Sequence, residues 1–126
     1  MADATTDDAQ LVVQLAQLGT QMAPANARGW IWSEDFVSDP DEFWEKYPPG
    51  SVEFGYVSGL ASWYETVGSL WKHGLLNEEL LFDWLYVSGV WERLKPILVA
   101  MRSSTPLLWE NFEKMAEAQS LAQIKI

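Results

Sequence analysis

The amino-acid sequence predicts an all-α protein, a bundle of four or five helices around one long central helix, with no sheet. Three observations predict this class. Apolar residues recur at intervals of three and four along most of the chain, which is the period of an amphipathic helix. No stretch of useful length alternates apolar and polar residues as a half-buried strand does. Capping residues, prolines and glycines mark the ends of the periodic segments.

The first helix is predicted over about residues 7–22. Apolar residues spaced by four, three and four form its stripe: Leu11, Leu15, Leu18 and Met22. Pro24 and Gly29 then interrupt the pattern, so residues 23–38 are predicted to form a loop. This loop carries four large apolar side chains, and we expect it to pack across the helices: Trp30, Ile31, Trp32 and Phe36.

A short helix is predicted to start after Asp39 and to end at Tyr47. Asp39 is a suitable N-cap and Pro40 suits the first helical position, with Glu42 three residues after the cap. The Pro48-Pro49-Gly50 segment ends this helix. Its aromatic residues share one side and are expected in the core: Phe43, Trp44 and Tyr47.

The central helix is predicted over residues 51–73, with Gly74 after its end. Three stripes indicate contacts on several sides. The first is an a/d-like seam of Val57, Leu60, Tyr64, Val67 and Trp71, and the second holds Tyr56, Trp63 and Leu70. The third contains small residues that let another backbone approach: Gly55, Gly59, Ser62, Thr66 and Ser69. One face has no obvious partner: Ala61, Glu65, Gly68 and Lys72.

The rest of the chain is predicted to form two more helices. Asn77 caps the first of them, and a four-three apolar alternation continues to Met101, so residues 78–102 are interpreted as one helix kinked at Pro96. Thr105-Pro106 repeats the cap-plus-proline start and is predicted to open the last helix.

Three segments resemble a group of small bacterial helical domains of unknown function. They are WYETVGSL at residues 63–70, GLLNEELLFD at 74–83 and WERLKPI at 91–97, followed by Arg102. The resemblance covers about a third of the chain. It implies a helical fold and a bacterial source, and it carries no activity or catalytic residues.

Length and composition indicate one domain over residues 1–126, with a flexible tail at residues 1–6. The start of the chain has neither a signal peptide nor a transit peptide pattern. No apolar run approaches the roughly 18 residues of a membrane span, and the lack of cysteine fits a reducing compartment. We therefore expect a cytoplasmic protein.

The composition disfavours most catalytic chemistries, because the chain has eight tryptophans but one histidine and no cysteine. Thiolate zinc sites need cysteine, and carboxylate di-iron bundles need Glu-x-x-His, whereas Leu70 stands three residues before His73. His73 is interpreted as a helix C-terminal residue that meets the helix dipole. We expect no metal, no cofactor and no catalytic residue, and a non-enzymatic role is favoured.

The formal net charge of −10 disfavours nucleic acid and anionic membrane surfaces as partners, because binding to both relies on Lys and Arg. A basic protein partner is compatible with this charge. The simplest interpretation is that the charge keeps an aromatic-rich protein in solution.

Glu65 is the acid of greatest interest. If it is buried, it needs a partner, and Arg93 or Arg102 could pair with it to fix the helix register. The alternative is a carboxylate that orients a ligand in an aromatic-lined pocket. The structural interpretation is favoured, because buried charges are most often paired.

The aromatic residues support a partner, because a small domain hides so many rings with difficulty: eight Trp, four Tyr and five Phe. Trp30, Trp32, Trp63 and Glu65 are the candidate interface or pocket residues. The leading hypothesis is a homodimeric interaction domain with an aromatic-rich face. The first alternative is a small-molecule binder or enzyme anchored by Glu65. The second is an acidic inhibitor of a basic protein, with one-sided clustering of Glu34, Asp35, Asp39, Asp41, Glu42 and Glu45.

Overall fold

The computed structural model describes residues 3–124 and is all-helical, which confirms the predicted class. Over these residues it contains seven α-helices, a short 3₁₀ turn and no strand, so there are more helices than the four or five predicted. The helices are α1 (Thr6–Met22), α2 (Ala25–Ile31), α3 (Pro40–Lys46), α4 (Val52–Lys72), α5 (Glu78–Trp84), α6 (Ser88–Ala100) and α7 (Glu110–Ile124), and the 3₁₀ turn is Met101–Ser103.

Helix α1 starts with a capping box. The Thr5 hydroxyl accepts a hydrogen bond from the Asp8 N–H, and the Asp8 carboxylate accepts one from the Thr5 N–H at 2.8 Å. The other Asp8 oxygen accepts the Asn77 N–H at 2.9 Å, which ties the start of α1 to the start of α5. The Thr5 N–H, followed by the Asn77 N–H, lowers the pKa of Asp8. Of the predicted tail at residues 1–6, the first two residues lie outside the described part.

Helix α2 lies in the segment 23–38, which was predicted to be a loop. Pro24 precedes the first helical residue, where its fixed φ and missing N–H are tolerated. Gly29 does not break the helix, and a Cβ there would have open space around it. The four-residue spacing of Ala27 and Ile31, both buried, turns one face of α2 to the core. The prediction was wrong because Pro24 and Gly29 were both interpreted as breakers.

Helices α3 and α4 follow their predicted caps. The Asp39 carboxylate accepts the Glu42 N–H at 3.0 Å, and the Ser51 hydroxyl accepts the Phe54 N–H at 3.2 Å. Gly74 follows α4 with a φ of +71°, the left-handed conformation that ends helices. Helices α1, α2 and α7 all pack against α4, so its central position is confirmed.

The α4 face that seemed to lack a partner is covered by α7. Ala61 is fully buried and Gly68 is buried too, while Glu65 is partly buried. A Cβ on Gly68 would stand 2.7 Å from the Asn111 carbonyl oxygen, so this glycine permits the start of α7 to lie directly on α4. In the predicted small-residue stripe, Gly59 faces the Met22 carbonyl in the same way.

The single helix predicted over residues 78–102 is wrong, because the chain breaks at residues 85–87. Leu85 is extended, and the Gln119 side chain supplies partners for the backbone at the break. Gln119 Oε1 accepts the Val87 and Ser88 N–H groups at 2.7 and 2.8 Å, and its Nε2 donates to the Leu85 carbonyl at 2.8 Å. Gln119 is 3% exposed. Pro96 lies inside α6.

The last helix begins at Glu110, five residues after the predicted Thr105 cap. The intervening residues form turns, and Trp109 has a φ of +65°, which is uncommon for a residue with a side chain. The N-terminus of α7 is capped from another helix, because Glu65 Oε1 accepts the Phe112 N–H at 2.9 Å.

Replacement of Gln119 by alanine is expected to lower the free energy of unfolding by about 3 kcal/mol or more. It leaves three buried backbone groups without partners, each worth about 1–3 kcal/mol. Urea denaturation followed by circular dichroism measures the change. Gln123→Ala, at an exposed position of the same helix, is the matched control and is expected to stay close to the parent protein. Equal stability of the two variants would contradict the role of Gln119.

Two alanine substitutions on α4 are expected to have opposite effects. Gly68→Ala places a methyl group against the Asn111 carbonyl and should cost about 1–3 kcal/mol through overpacking. Gly55→Ala meets open space and should stabilise by about 0.5–1 kcal/mol through helix propensity. Thermal unfolding of both variants tests this, and a stabilised Gly68→Ala protein would show that α7 does not lie this close to α4.

Candidate functional site

One concave surface combines aromatic rings from three separate segments of the chain, and we call it the aromatic groove. It lies between the C-terminal half of α1, helix α2, the middle of α4 and the break between α5 and α6. Its volume is about 610 Å³, within the range of small-molecule sites. Five aromatic side chains line it: Trp32, Trp63, Tyr64, Trp84 and Tyr86.

Trp63 forms the floor of the aromatic groove and belongs to the core at the same time. Its side chain is fully buried, and its indole Nε1 donates to the Leu15 carbonyl oxygen at 2.9 Å. Gly19 allows this approach, since a Cβ there would stand 3.2 Å from the Trp63 ring. The floor is therefore held by a buried hydrogen bond between α4 and α1.

The rim of the groove consists of exposed rings. Trp32 is 52% exposed at the end of α2, and Tyr86 is 57% exposed in the α5–α6 break. The Tyr86 ring lies over Gly89, where a Cβ would collide with it. Trp84 is partly buried and meets Trp63 edge to face, with ring centres 5.9 Å apart. The groove thus has a rigid buried floor and an apolar rim open to solvent.

Tyr64 lies beside the floor and supports the rim. Its hydroxyl donates to the Tyr86 carbonyl at 3.0 Å, and its ring stacks on Phe112 at 4.7 Å. Tyr64 is 5% exposed, and this burial raises its pKa to about 12, against the opposing charge of Arg28. The Tyr64 phenol is therefore neutral at physiological pH, and its O–H group already donates a hydrogen bond to the Tyr86 carbonyl.

Arg28 supplies the formal charge of the groove, and the other residues described as lining it are uncharged. Its Nε donates to the Ala23 carbonyl at 3.0 Å, at the C-terminal end of α1, and its guanidinium lies 5.3 Å from the centre of the Trp63 ring. Within residues 3–124, the two terminal nitrogens of Arg28 form no hydrogen bond or ion pair. These donors are available to a ligand.

The structure brings together two of the four residues that the sequence indicated. Trp32 and Trp63 line the groove. Trp30 belongs to a separate aromatic cluster beneath α3, with ring centres 5.6 Å from Phe36 and 5.1 Å from Tyr47. Glu65 lies where α7 covers α4 and does not line the groove.

Glu65 pairs with neither arginine proposed for it. Arg93 donates to the Ile31 carbonyl at 2.6 Å and to the Ser33 carbonyl at 3.3 Å, and so closes the end of α2. Arg102 forms an ion pair with Glu113 at 2.9 Å. The Glu65 carboxylate instead caps α7, so its role is structural but its partner is a backbone N–H.

Arg28, Trp84 and Tyr86 were not selected from the sequence. Arg28 falls in the segment that was interpreted as a loop, so no face could be assigned to it. Trp84 occupies a seam position in the helix predicted over residues 78–102, which placed it in the core. If Pro24 had been interpreted as a helix start, Arg28 and Trp32, which are four residues apart, would have been placed on one face of that helix.

The His, Asp and Glu side chains of the described residues form no metal-binding cluster. Over residues 3–124, no three His, Asp or Glu side chains are close enough together to hold a metal ion. His73 Nδ1 lies 2.8 Å from the Ser69 carbonyl at the C-terminal end of α4. The six acidic residues considered for a basic partner are exposed and lie along residues 34–45. None of the helices in the described part has the length and apolar character required to cross a membrane.

Comparison with known proteins gives one match. The model of the family described as Domain of unknown function (DUF4760) matches residues 4–119. No curated protein and no solved structure matches the chain. The match covers all the segments that line the aromatic groove.

The raised pKa of Tyr64 predicts a loss of stability at alkaline pH. The folded protein holds this proton up to a pKa of about 12, whereas the unfolded chain releases it near 10, so the stabilisation is present below pH 10 and is lost as the pH rises towards 12. Tyr64→Phe removes the ionisation and the bond to Tyr86, at a cost of about 1 kcal/mol near neutrality. We expect the stability difference between parent and variant to shrink between pH 10 and 12, as measured by urea denaturation. A constant difference would contradict the buried phenol.

Proposed function

The chain belongs to the family described as Domain of unknown function (DUF4760), and we propose that this domain is a non-catalytic binding protein whose recognition site is the aromatic groove. The bacterial source and the cytoplasmic location remain expectations from the sequence.

The convergence of rings on one concave surface is the observation that carries this proposal. Trp32, Trp63 and Tyr86 come from three separate segments, yet all line a groove of about 610 Å³. Two of these rings are more than half exposed, although burial of one large apolar side chain is worth about 1.5–3 kcal/mol. An exposed aromatic surface of this kind marks a binding site more often than it marks a packing defect.

The polar groups of the groove suit binding rather than proton transfer. The Tyr64 hydroxyl already donates a hydrogen bond, and its pKa of about 12 makes it a weak acid. The Arg28 guanidinium has no acceptor atom and acts as a donor only. The Thr20 hydroxyl is exposed at the edge of the groove, and His73 lies at the far end of α4.

Self-association is a second candidate, and the exposed rim favours it. Trp32 and Tyr86 lie on the same surface, and a two-fold contact between two copies would bury both rings of each copy. In this case the rim forms the interface, and a small apolar ligand would compete with the second copy. The two candidates therefore differ in their dependence on protein concentration.

The first experiment uses 2-naphthol, a neutral planar probe. Isothermal titration calorimetry of the parent protein is expected to show saturable binding, and Trp32→Ala should weaken it about tenfold or more, because the variant removes an aromatic wall. Leu107→Ala removes an exposed apolar side chain outside the groove and is the control. Absence of saturable binding, or equal affinity of the two variants, would overturn the ligand site.

The second experiment is sedimentation equilibrium over a hundredfold range of protein concentration. A parent protein that dimerises and a Trp32→Ala protein that does not would establish self-association through the rim. A monomer throughout the range, with intact binding of 2-naphthol, would leave the ligand site and remove the dimer.

A further inference from the structure

We propose that the natural ligand of the aromatic groove is a small apolar molecule with a single carboxylate, which binds the guanidinium of Arg28. This inference rests on the proposed function, and it adds the chemical class of the ligand. Three properties of the groove lead to it: an arginine without an acidic partner, an apolar surround, and a limited volume.

Among the three arginines of the described part, Arg28 is the one whose two terminal nitrogens both lack a protein partner. Arg102 and Lys114 each form an ion pair with a glutamate, at 2.9 and 2.8 Å. Arg93 donates hydrogen bonds to two backbone carbonyls through Nε and Nη2. Arg28 has bound only one carbonyl through Nε, and within the described residues its terminal nitrogens stay open.

The guanidinium of Arg28 is held in place before any ligand arrives. Its Nε bond to Ala23 fixes one edge, and the Trp63 ring supports it at 5.3 Å. Gly19 leaves room for it, since a Cβ there would stand 3.2 Å from Nη2. A fixed guanidinium loses little freedom on binding, and the two free nitrogens are the donor pair that carboxylates engage side by side.

Because Arg28 is the one charged side chain among the described lining residues, we expect a ligand with a single negative charge to bind best. Arg28 is exposed at the edge of the groove, and one carboxylate balances its charge, whereas a phosphate monoester carries about −1.5 to −2. A neutral amide would satisfy the hydrogen bonds without the charge. A cation would be repelled. We therefore expect the groove to bind a carboxylate more tightly than an amide, and an amide more tightly than an ammonium group.

The volume and the net charge favour a small molecule over a second copy. The groove volume of about 610 Å³ matches that of small-molecule sites. A second copy would bring another chain of formal charge −10 towards this one, which opposes close approach at low salt. The apolar body of the ligand would lie between Trp32, Trp84 and Tyr86, and a planar ring system fits such walls best.

The test compares three probes of one shape: 2-naphthoate, 2-naphthamide and 2-naphthylmethylammonium. With the parent protein, calorimetry is expected to give about tenfold tighter binding of the carboxylate than of the amide, and the weakest binding for the ammonium. Arg28→Gln should reduce the carboxylate-to-amide ratio to about one while the amide still binds. Lys95→Gln removes a positive charge outside the groove and should leave the ratio unchanged.

The ratio in the parent protein needs no variant, so it remains decisive even if Arg28→Gln fails to fold. Equal affinity for carboxylate and amide overturns this inference and leaves the proposed function standing. A preserved ratio in folded Arg28→Gln also overturns it. Failure of the proposed function looks different, because none of the three probes would then bind in a way that depends on Trp32. A dimer that excludes 2-naphthoate would assign the groove to a second copy and overturn the inference as well.

Discussion

Gln119 forms hydrogen bonds with three backbone groups at the break between α5 and α6, and most of the fold depends on contacts of this kind. Seven helices within residues 3–124 have many ends, and each end leaves N–H or C=O groups without partners inside its own helix. Here, side chains from other helices supply several of them. Glu65 of α4 binds the start of α7, and Arg93 of α6 binds the end of α2. Each bond therefore closes a helix end and fixes a helix pair at once.

The same bonds shape the aromatic groove. Arg28 closes the end of α1 through the Ala23 carbonyl, and this places its guanidinium beside the floor. Gln119 maintains the break at residues 85–87, and Tyr64 binds the Tyr86 carbonyl inside that break. The walls are thus positioned by the folding interactions themselves, which is the preorganisation that a binding site requires.

The elements predicted correctly are those whose signals are local. Helices α1, α3 and α4 have capping residues or glycines at their own ends, as with Asp39 and Gly74, and a single sequence shows these directly. The break after α5 depends on Gln119, more than thirty residues further on, and the apolar spacing runs across it without interruption. The start of α7 depends on Glu65 and on the left-handed Trp109, and neither is visible as a pattern.

The candidate site, like the fold, was predicted only in part from the sequence. Trp32 stood out because it lay in a predicted loop, and Trp63 because it lay on the second seam of the central helix; both line the groove. Trp30 and Glu65 were grouped with them, although the fold places one in the cluster beneath α3 and the other under α7. Arg28 was missed, because its importance comes from two terminal nitrogens that have no partner within the described residues, and this is a property of three-dimensional packing.

Trp63 and Trp32 both line the groove but differ in how firmly the fold holds them. Trp63 is fixed on all sides and bonded to α1, and loss of such a buried ring costs about 3–5 kcal/mol, so it cannot change without damage to the fold. Trp32 is half exposed, and its ring contacts the Arg93 guanidinium at 5.8 Å. A substitution there alters the groove but little of the core. The floor therefore sets the depth of the site and the stability of the domain together, while the rim sets which apolar body fits.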